Sequence, residues 1–267
     1  LVLFPQSSNT MSDPSRAIKT MKLYSDVERV DRELRALGKT PDAPLTTEEL
    51  SAFDQLHYGG IDAVDAAVES LSIDSSTKVI DIGSGLGGPA RHLAASTRCR
   101  VTAIELQREL HVSAERLTRR CGLDDRIEHL NGDFLSAILP VAGYGALVSW
   151  LTFLHIPDHP ALLRRCRSVL RDGGGFYVED FFRSGRFNED EIRQLEREVY
   201  CRDLPTLDRY HENLDAAGFE GIEIVDMSED WTRFVKERRQ RFAADRVRFV
   251  HLHGPATFRA LDGFYQT

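Results

Sequence analysis

The chain has 267 residues, 42% of them hydrophobic and 28% charged, which suits one large globular domain or one domain with an appendage. Its 34 Lys+Arg stand against 42 Asp+Glu, a formal charge of −8. That balance argues against nucleic acid as the main partner, because phosphate binding needs clustered cations. No apolar run approaches the ~20 residues of a membrane helix.

Cys99, Cys121, Cys166 and Cys201 are scattered without a C-x-x-C, so no zinc pattern is present, no metal is implied, and a disulfide framework is not expected at this size. A reducing, cytoplasmic setting is the expectation. Residues 1–20 are rich in Ser, Pro, Thr and Asn and read as a flexible tail; "LVLFP" is too short and too weakly flanked for a signal peptide. Met11 offers an alternative natural start. Residues 21–74 read as an N-terminal helical lid. "SDVERVDRELRALG" (25–38) places Val27, Val30, Leu34 and Leu37 on one helical stripe. A second helix opens with a capping signal, Thr46 with Glu49 three residues on. It breaks at Gly59-Gly60 and resumes with Ile61, Val64, Val68 and Leu71.

From residue 75 to 226 short Val/Ile-rich strands alternate with amphipathic helices. The strands read are 78–82, 100–104, 126–130, 145–150, 175–179 and 221–225, with helices near 88–96, 107–121, 158–170 and 206–217. This α/β alternation predicts a doubly wound, mainly parallel sheet. Residues 183–204 read as a helical insertion, and 227–267 as a C-terminal helical segment whose long helix spans 226–250. The arginine clusters Arg164, Arg165, Arg167 and Arg238, Arg239, Arg241 fall at helical spacing and read as solvated faces.

The strand KVIDI runs into "GSGLGG", placing a glycine turn at the carboxyl end of the first strand, where such sheets bind ligands. Gly83, Gly85 and Gly88 fit G-x-G-x-x-G, and Pro89 suits the first helical turn that follows. The spacing alone does not separate a dinucleotide site from other sites. Asp81 does, because a carboxylate inside the strand suits a ligand with a positive amino group and argues against a nicotinamide-dependent oxidoreductase. Glu105 ends the next strand, placed to accept hydrogen bonds from a ribose diol. "NGDF" closes the third strand, so that Asp133 accepts from an adenine amino group while Phe134 packs on the ring.

Together "VIDIGSGLGG", the "IE" of strand two, "NGDF" and "LRDGGGFYVEDF" resemble a Rossmann-like S-adenosylmethionine-dependent methyltransferase over residues 75–226. "YSDVE", "HYGG", "LHI", "EDF" and "DMSEDW" narrow the resemblance to the sarcosine/dimethylglycine and phosphoethanolamine N-methyltransferase group. The resemblance implies a cofactor set of Asp81, Gly83, Ser84, Gly85, Gly87, Glu105, Leu106, Gln107, Asp133, Phe134, Ser149 and Trp150. It also implies a seventh, antiparallel strand between strands five and six; none is found, so the sheet has six strands or its last strand lies beyond residue 267.

Transfer to an amine needs a nucleophile held in line and freed of its proton. His155, after strand four, is the candidate base. In the resembled phosphoethanolamine enzymes an aspartate four residues earlier assists it; here that residue is Leu151. His155 then either serves unassisted or orients an N-terminal tyrosine. Tyr24 and Tyr58 match tyrosines that close over the site in the resembled group. Phe181, Trp231 and Arg202 are the candidate substrate contacts, Arg202 or Arg183 through an acceptor carboxylate. The expected reaction is methyl transfer to a small polar acceptor, with an amine nitrogen first and oxygen or carbon second. A catalytically silent cofactor-binding member is the reading outside enzymes. The expected partners are a small molecule and no nucleic acid, in a monomer or homodimer.

Overall fold

The computed structural model describes residues 26–264. The tail expected over 1–20, Met11 and Tyr24 all lie outside the described residues. Three helices come first, α1 (Glu28–Ala36), α2 (Thr47–Asp54) and α3 (Ile61–Leu71). α2 begins as its spacing predicts: Thr46 accepts from the Glu49 N–H, and the Glu49 carboxylate accepts from the Thr46 N–H. Val30 and Leu34 of α1 join Leu45, Leu50, Leu86, Leu110 and Leu117 in one apolar cluster. The N-terminal helices are therefore docked on the sheet domain.

That domain is a five-stranded parallel sheet in the order β3-β2-β1-β4-β5. Its strands are β1 (Lys78–Ile82), β2 (Arg100–Glu105), β3 (Ile127–Asn131), β4 (Tyr144–Trp150) and β5 (Leu170–Glu179). α4 (Gly88–Thr97), α5 (Arg108–Arg120) and α6 (His159–Val169) make the crossovers. The order reverses between β1 and β4, which opens a crevice at their carboxyl ends. Alternation along the strands buries both faces. Val79, Val101, Ala103, Ala146 and Val148 pack with Val64, Ala67, Ala90 and Leu93. Ile80, Ile82, Ile104 and Leu147 pack with Leu162, Leu163, Cys166 and, from α8 (Leu207–Ala216), Leu214. Each such Val, Leu or Ile contributes roughly 1.5–3 kcal/mol, so apolar layers rather than ion pairs hold the sheet.

The sixth strand expected over 221–225 does not form. Its residues alternate, but a strand exists only when its backbone groups find a partner. No antiparallel strand stands between this segment and β5 among the described residues. Ile224 and Val225 are accordingly 39% and 67% exposed. β5 is left as an edge, facing a cavity of about 1450 Å³ bounded by residues 174–182, 219–225 and α9 (Ser228–Ala244).

The 183–204 insertion holds α7 (Glu189–Gln194) and a π-helical turn (Leu195–Val199). The helix expected over 226–250 is two helices, since α9 ends at Ala244 and α10 (Arg246–His253) begins after Asp245. The break lets Phe242 meet Phe249 and stack on Phe258 of α11 (Pro255–Phe264), with ring centroids 4.8 and 4.6 Å apart. No described helix is long and apolar enough to cross a membrane. All four cysteines are free.

Candidate functional site

A cavity of about 340 Å³ opens at the carboxyl ends of β1, β2 and β4. Residues 81–86, 104–107, 132–135, 150–152 and 155–158 line it, with Asp54, Leu56 and His57 closing over from the N-terminal helices. Gly83 has φ +71°, and a Cβ there would lie 2.1 Å from Thr152 Oγ1. Only glycine lets the turn pass beneath β4. A Cβ on Gly88 would sit 2.6 Å from the Asp54 carbonyl oxygen, so the second close approach brings residues 54–58 down onto the turn.

Two acids face this cavity. Glu105 is 6% exposed, with Oε2 accepting from the Gly85 N–H at 2.9 Å and Oε1 from the Gln107 N–H at 2.7 Å. Burial pushes its pKa up against the pull of those backbone groups. Asp81 is 1% exposed, and its Oδ2 has no partner. Burial first, then the Glu105 charge, pushes Asp81 up to about 8. The Ser84 hydroxyl is also buried without a partner. Among the described residues the lining holds no Lys or Arg. Such a site wants a ligand that brings an ammonium group and hydroxyls, and it repels the pyrophosphate of a dinucleotide. The amino group of S-adenosylmethionine fits the unpartnered Asp81 Oδ2, and its ribose hydroxyls fit the lone pairs that the two backbone bonds leave open on Glu105.

A buried chain of polar groups ties the turn to residues 54–58. Arg91 donates to Leu86 O at 2.7 Å and to Asp54 Oδ2 at 2.8 Å. Gln55 Nε2 donates to Asp54 Oδ1, and Gln55 Oε1 lies 2.8 Å from His57 Nε2. His57 Nδ1 bonds the Tyr58 carbonyl, and its ring packs 5.5 Å from that of Trp150. Burial holds His57 down at about 4.

His155 lines the same cavity, 6% exposed, with Nδ1 unpartnered. Burial pulls it down to about 4, opposed by a hydrogen bond to the Tyr200 backbone. Leu151 beside it holds φ +54°, a left-handed conformation that non-glycine residues rarely adopt and that recurs at functional sites.

The structure thus gathers Asp81, Gly83, Ser84, Gly85, Glu105, Leu106, Gln107, Asp133, Phe134, Trp150 and His155 around one cavity. It leaves out two members of the expected set. Gly87 is turned the other way, its missing Cβ facing Arg91, His129 and Ala114. Ser149 donates to Ile82 O inside the sheet and does not line the cavity. Arg202 lines neither cavity and pairs with Glu196 at 3.1 Å. Tyr58, Phe181 and Trp231 come together on the larger cavity. Asp54, Leu56, Thr152, the buried Glu179 and the half-buried Asp180 escaped the sequence reading. Asp180 accepts from the Leu154 and Phe181 N–H groups, and burial pushes it up to about 7. The "EDF" motif was the available signal for the last two.

Residues 79–174 match the family model described as a methyltransferase domain. Phosphoethanolamine N-methyltransferase 1 of Arabidopsis thaliana is 26% identical over 193 residues, 72% of this chain and 38% of that protein. The sarcosine/dimethylglycine N-methyltransferase of Halorhodospira halochloris is 28% identical over 213 residues, 79% of this chain and 76% of that protein. The fold is shared with phosphoethanolamine N-methyltransferase 2 of Haemonchus contortus, solved with phosphomonomethylethanolamine and S-adenosylhomocysteine. That likeness has a TM-score of 0.74 at 21% identity and covers 90% of this chain and 56% of the other. The chain therefore spans well under two thirds of the phosphoethanolamine enzymes it matches. Its sheet shares the fold of that Haemonchus contortus methyltransferase.

Proposed function

We propose that the chain is an S-adenosylmethionine-dependent methyltransferase and that its acceptor atom is an amine nitrogen. The observation that carries the reading is the unpartnered Asp81 Oδ2 beside Glu105, in a cavity that no Lys or Arg lines among the described residues. Asp81 would hold the cofactor's amino group. Glu105 would hold the ribose hydroxyls through the lone pairs its two backbone bonds leave open, and Asp133 and Phe134 would take the adenine. When bound, the cofactor supplies a methyl carbon made electrophilic by its sulfonium.

The chain's own residues do the remaining work. Trp150 and His57 wall the cavity, and residues 54–58 with α1–α3 act as a lid that keeps water out. The nitrogen must be neutral to attack. His155 is neutral at pH 7 and carries an unpartnered Nδ1, so it accepts a proton in passing and does not retain it. Tyr58, Phe181 and Trp231 are assigned to the acceptor side. Support for nitrogen comes from the N-methyltransferase relatives. A carbon or oxygen acceptor is favoured by one observation, the largely apolar lining of the larger cavity.

Calorimetric titration with S-adenosylmethionine and S-adenosylhomocysteine, followed by methyl-transfer assays over a panel of amines, phenols and alkenes, tests the reading. Micromolar binding and turnover on an amine are expected. Absence of binding overturns the whole reading. Binding with turnover only on phenols or alkenes overturns the nitrogen assignment, and binding without any turnover favours a silent role.

A further inference from the structure

His155 lines the smaller cavity with Nδ1 buried and unpartnered, so its hydrogen bond to the Tyr200 backbone is made by Nε2. That bond pulls the ring's pKa up against burial, as only an acceptor does, and its partner is therefore the Tyr200 carbonyl oxygen. A carbonyl accepts and never donates, so the ring nitrogen facing it carries a proton. In a neutral imidazole one nitrogen donates and the other accepts, which leaves the lone pair on Nδ1.

The 183–204 insertion brings that carbonyl to the site. Leu195–Val199 form the π-helical turn, and Tyr200 follows it at φ +55°. The Tyr200 and Cys201 N–H groups both donate to Leu195 O, the second at 3.2 Å, and the turn ends there. The Tyr200 carbonyl is left without a helical N–H to accept from. A non-glycine residue at such a φ is strained, and both this strain and single π turns recur at functional sites. Apolar packing holds the segment in place. Leu154, next to His155, is buried with Cys201 and Leu204, and Leu151, Leu195 and Val199 pack against them. The Arg183 N–H donates to Pro205 O at 2.9 Å and closes the base of the insertion.

We infer that Tyr200 is a positioning residue for the base: its backbone carbonyl fixes His155 as the tautomer with the proton on Nε2 and the lone pair on Nδ1. This rests on the methyltransferase reading and deepens it. An ammonium acceptor must shed one proton before its nitrogen can attack. That proton goes to the Nδ1 lone pair. The resulting imidazolium keeps its Nε2–H on the Tyr200 carbonyl and gives the Nδ1 proton to water. The group that acts is a backbone carbonyl, so position 200 contributes through its φ.

The test is nitrogen-15 NMR of the imidazoles in the full chain saturated with S-adenosylhomocysteine at neutral pH. The His155 signals are identified by their absence from His155→Gln. The parent is expected to show His155 as a single tautomer, with Nε2 protonated and Nδ1 bare. Tyr200→Gly and Tyr200→Val both remove the phenol, so their difference reads the backbone: glycine adopts a positive φ freely and a β-branched residue rarely does. Tyr200→Gly should keep the single tautomer. Tyr200→Val should show a mixture and bind S-adenosylhomocysteine as the parent does. It should turn over the best amine of the panel above about tenfold or more slowly than Tyr200→Gly, at similar KM. If Tyr200→Val misfolds, Tyr200→Ala takes its place. A His155 proton on Nδ1 in the parent overturns the inference, as does a Gly variant that matches the Val or Ala variant in spectrum and turnover. With S-adenosylhomocysteine still bound, either failure leaves the methyltransferase reading standing. A parent chain that does not bind S-adenosylhomocysteine sinks that reading separately, and the His155 tautomer of the ligand-free chain then decides the Tyr200 contact.

Discussion

Arg91 and Asp54 meet at 2.8 Å with side chains only 1% and 2% exposed, joining the first turn of α4 to the end of α2. The pair does more than cancel two charges. The same guanidinium nitrogen donates to the Leu86 carbonyl, and Nη1 reaches Thr118 Oγ1 at 3.1 Å. Leu86 and Asp54 both line the smaller cavity, proposed above for the cofactor. The ion pair therefore fixes the glycine turn relative to the segment that carries His57 and Tyr58.

Removing one member leaves the other buried and unpaired. Asp54→Asn is expected to destabilise the fold by about 3–5 kcal/mol in urea unfolding. The double variant Arg91→Met/Asp54→Leu should lose less than the sum of the two single changes. S-adenosylhomocysteine affinity should fall in every variant, because the glycine turn loses its tie to the segment that ends α2. A single variant within 1 kcal/mol of the parent would mean that water reaches the site.

Asp81 works against the empty fold. Unfolded, it ionises at the ordinary carboxylate value; folded, it is pushed up to about 8. Between those values the folded state holds a proton that the unfolded state has lost. Stability of the ligand-free protein therefore falls as pH rises through that window. Asp81→Asn should flatten this slope and raise stability at pH 8 by about 1 kcal/mol.

The same change should weaken S-adenosylhomocysteine binding by about tenfold or more, since an amide carries no charge to offset an ammonium. Binding to the parent at pH 6.5 should release about one proton, seen in calorimetry across buffers of different ionisation enthalpy. The Asn variant should release none. Equal proton release by both proteins would remove Asp81 from cofactor recognition.

Gly83→Ala meets two obstacles, φ +71° and the Thr152 side chain 2.1 Å from the new methyl. The backbone term alone costs about 1–2 kcal/mol. Pairing the change with Thr152→Gly removes the clash but not the dihedral. The double variant should recover part of the lost melting temperature while the single variant loses cofactor binding. Full recovery would show that the dihedral carries no strain.

Much of the sheet was legible because its signals are local. KVIDI and RVTAI alternate or run apolar, and Thr46 and Glu49 cap a helix three residues apart. GIEIV carries a similar local pattern, yet forms no strand, because pairing depends on what lies beside it. The cofactor site divides the same way. Asp81, Gly83 and Glu105 follow from a strand, its turn and the end of the next strand. Thr152 and Asp54 matter only through contacts across the fold. Glu179 acquires its place from the β4–β5 register, which sets it against Trp150. Gly87 stands outside the cavity lining, because a glycine pattern does not say which of its glycines border the cavity.

The last prediction concerns the N-terminal helices, proposed above as a lid. Glu33 of α1 is 5% exposed and bonds His253 Nε2 at 2.7 Å and Arg248, both on α10, while Arg32 Nε lies 3.1 Å from His253 Nδ1. Burial pushes the Glu33 carboxyl up, but Arg248 and His253 outweigh it and hold the pKa below its ordinary value of 4.5. A depressed acid contributes stability that is present above its unfolded pKa and is lost as pH falls through the folded one. The α1–α10 contact should therefore loosen below about pH 4.5. Glu33→Gln should mimic that loosening at neutral pH. Amide hydrogen exchange is expected to speed up in α1 and α10 and to stay unchanged in β1 and β4. If α1 exchanges at the parent rate, then the Arg116–Asp31 pair at 2.8 Å, which ties the same helix to α5, is the contact that holds α1 in place.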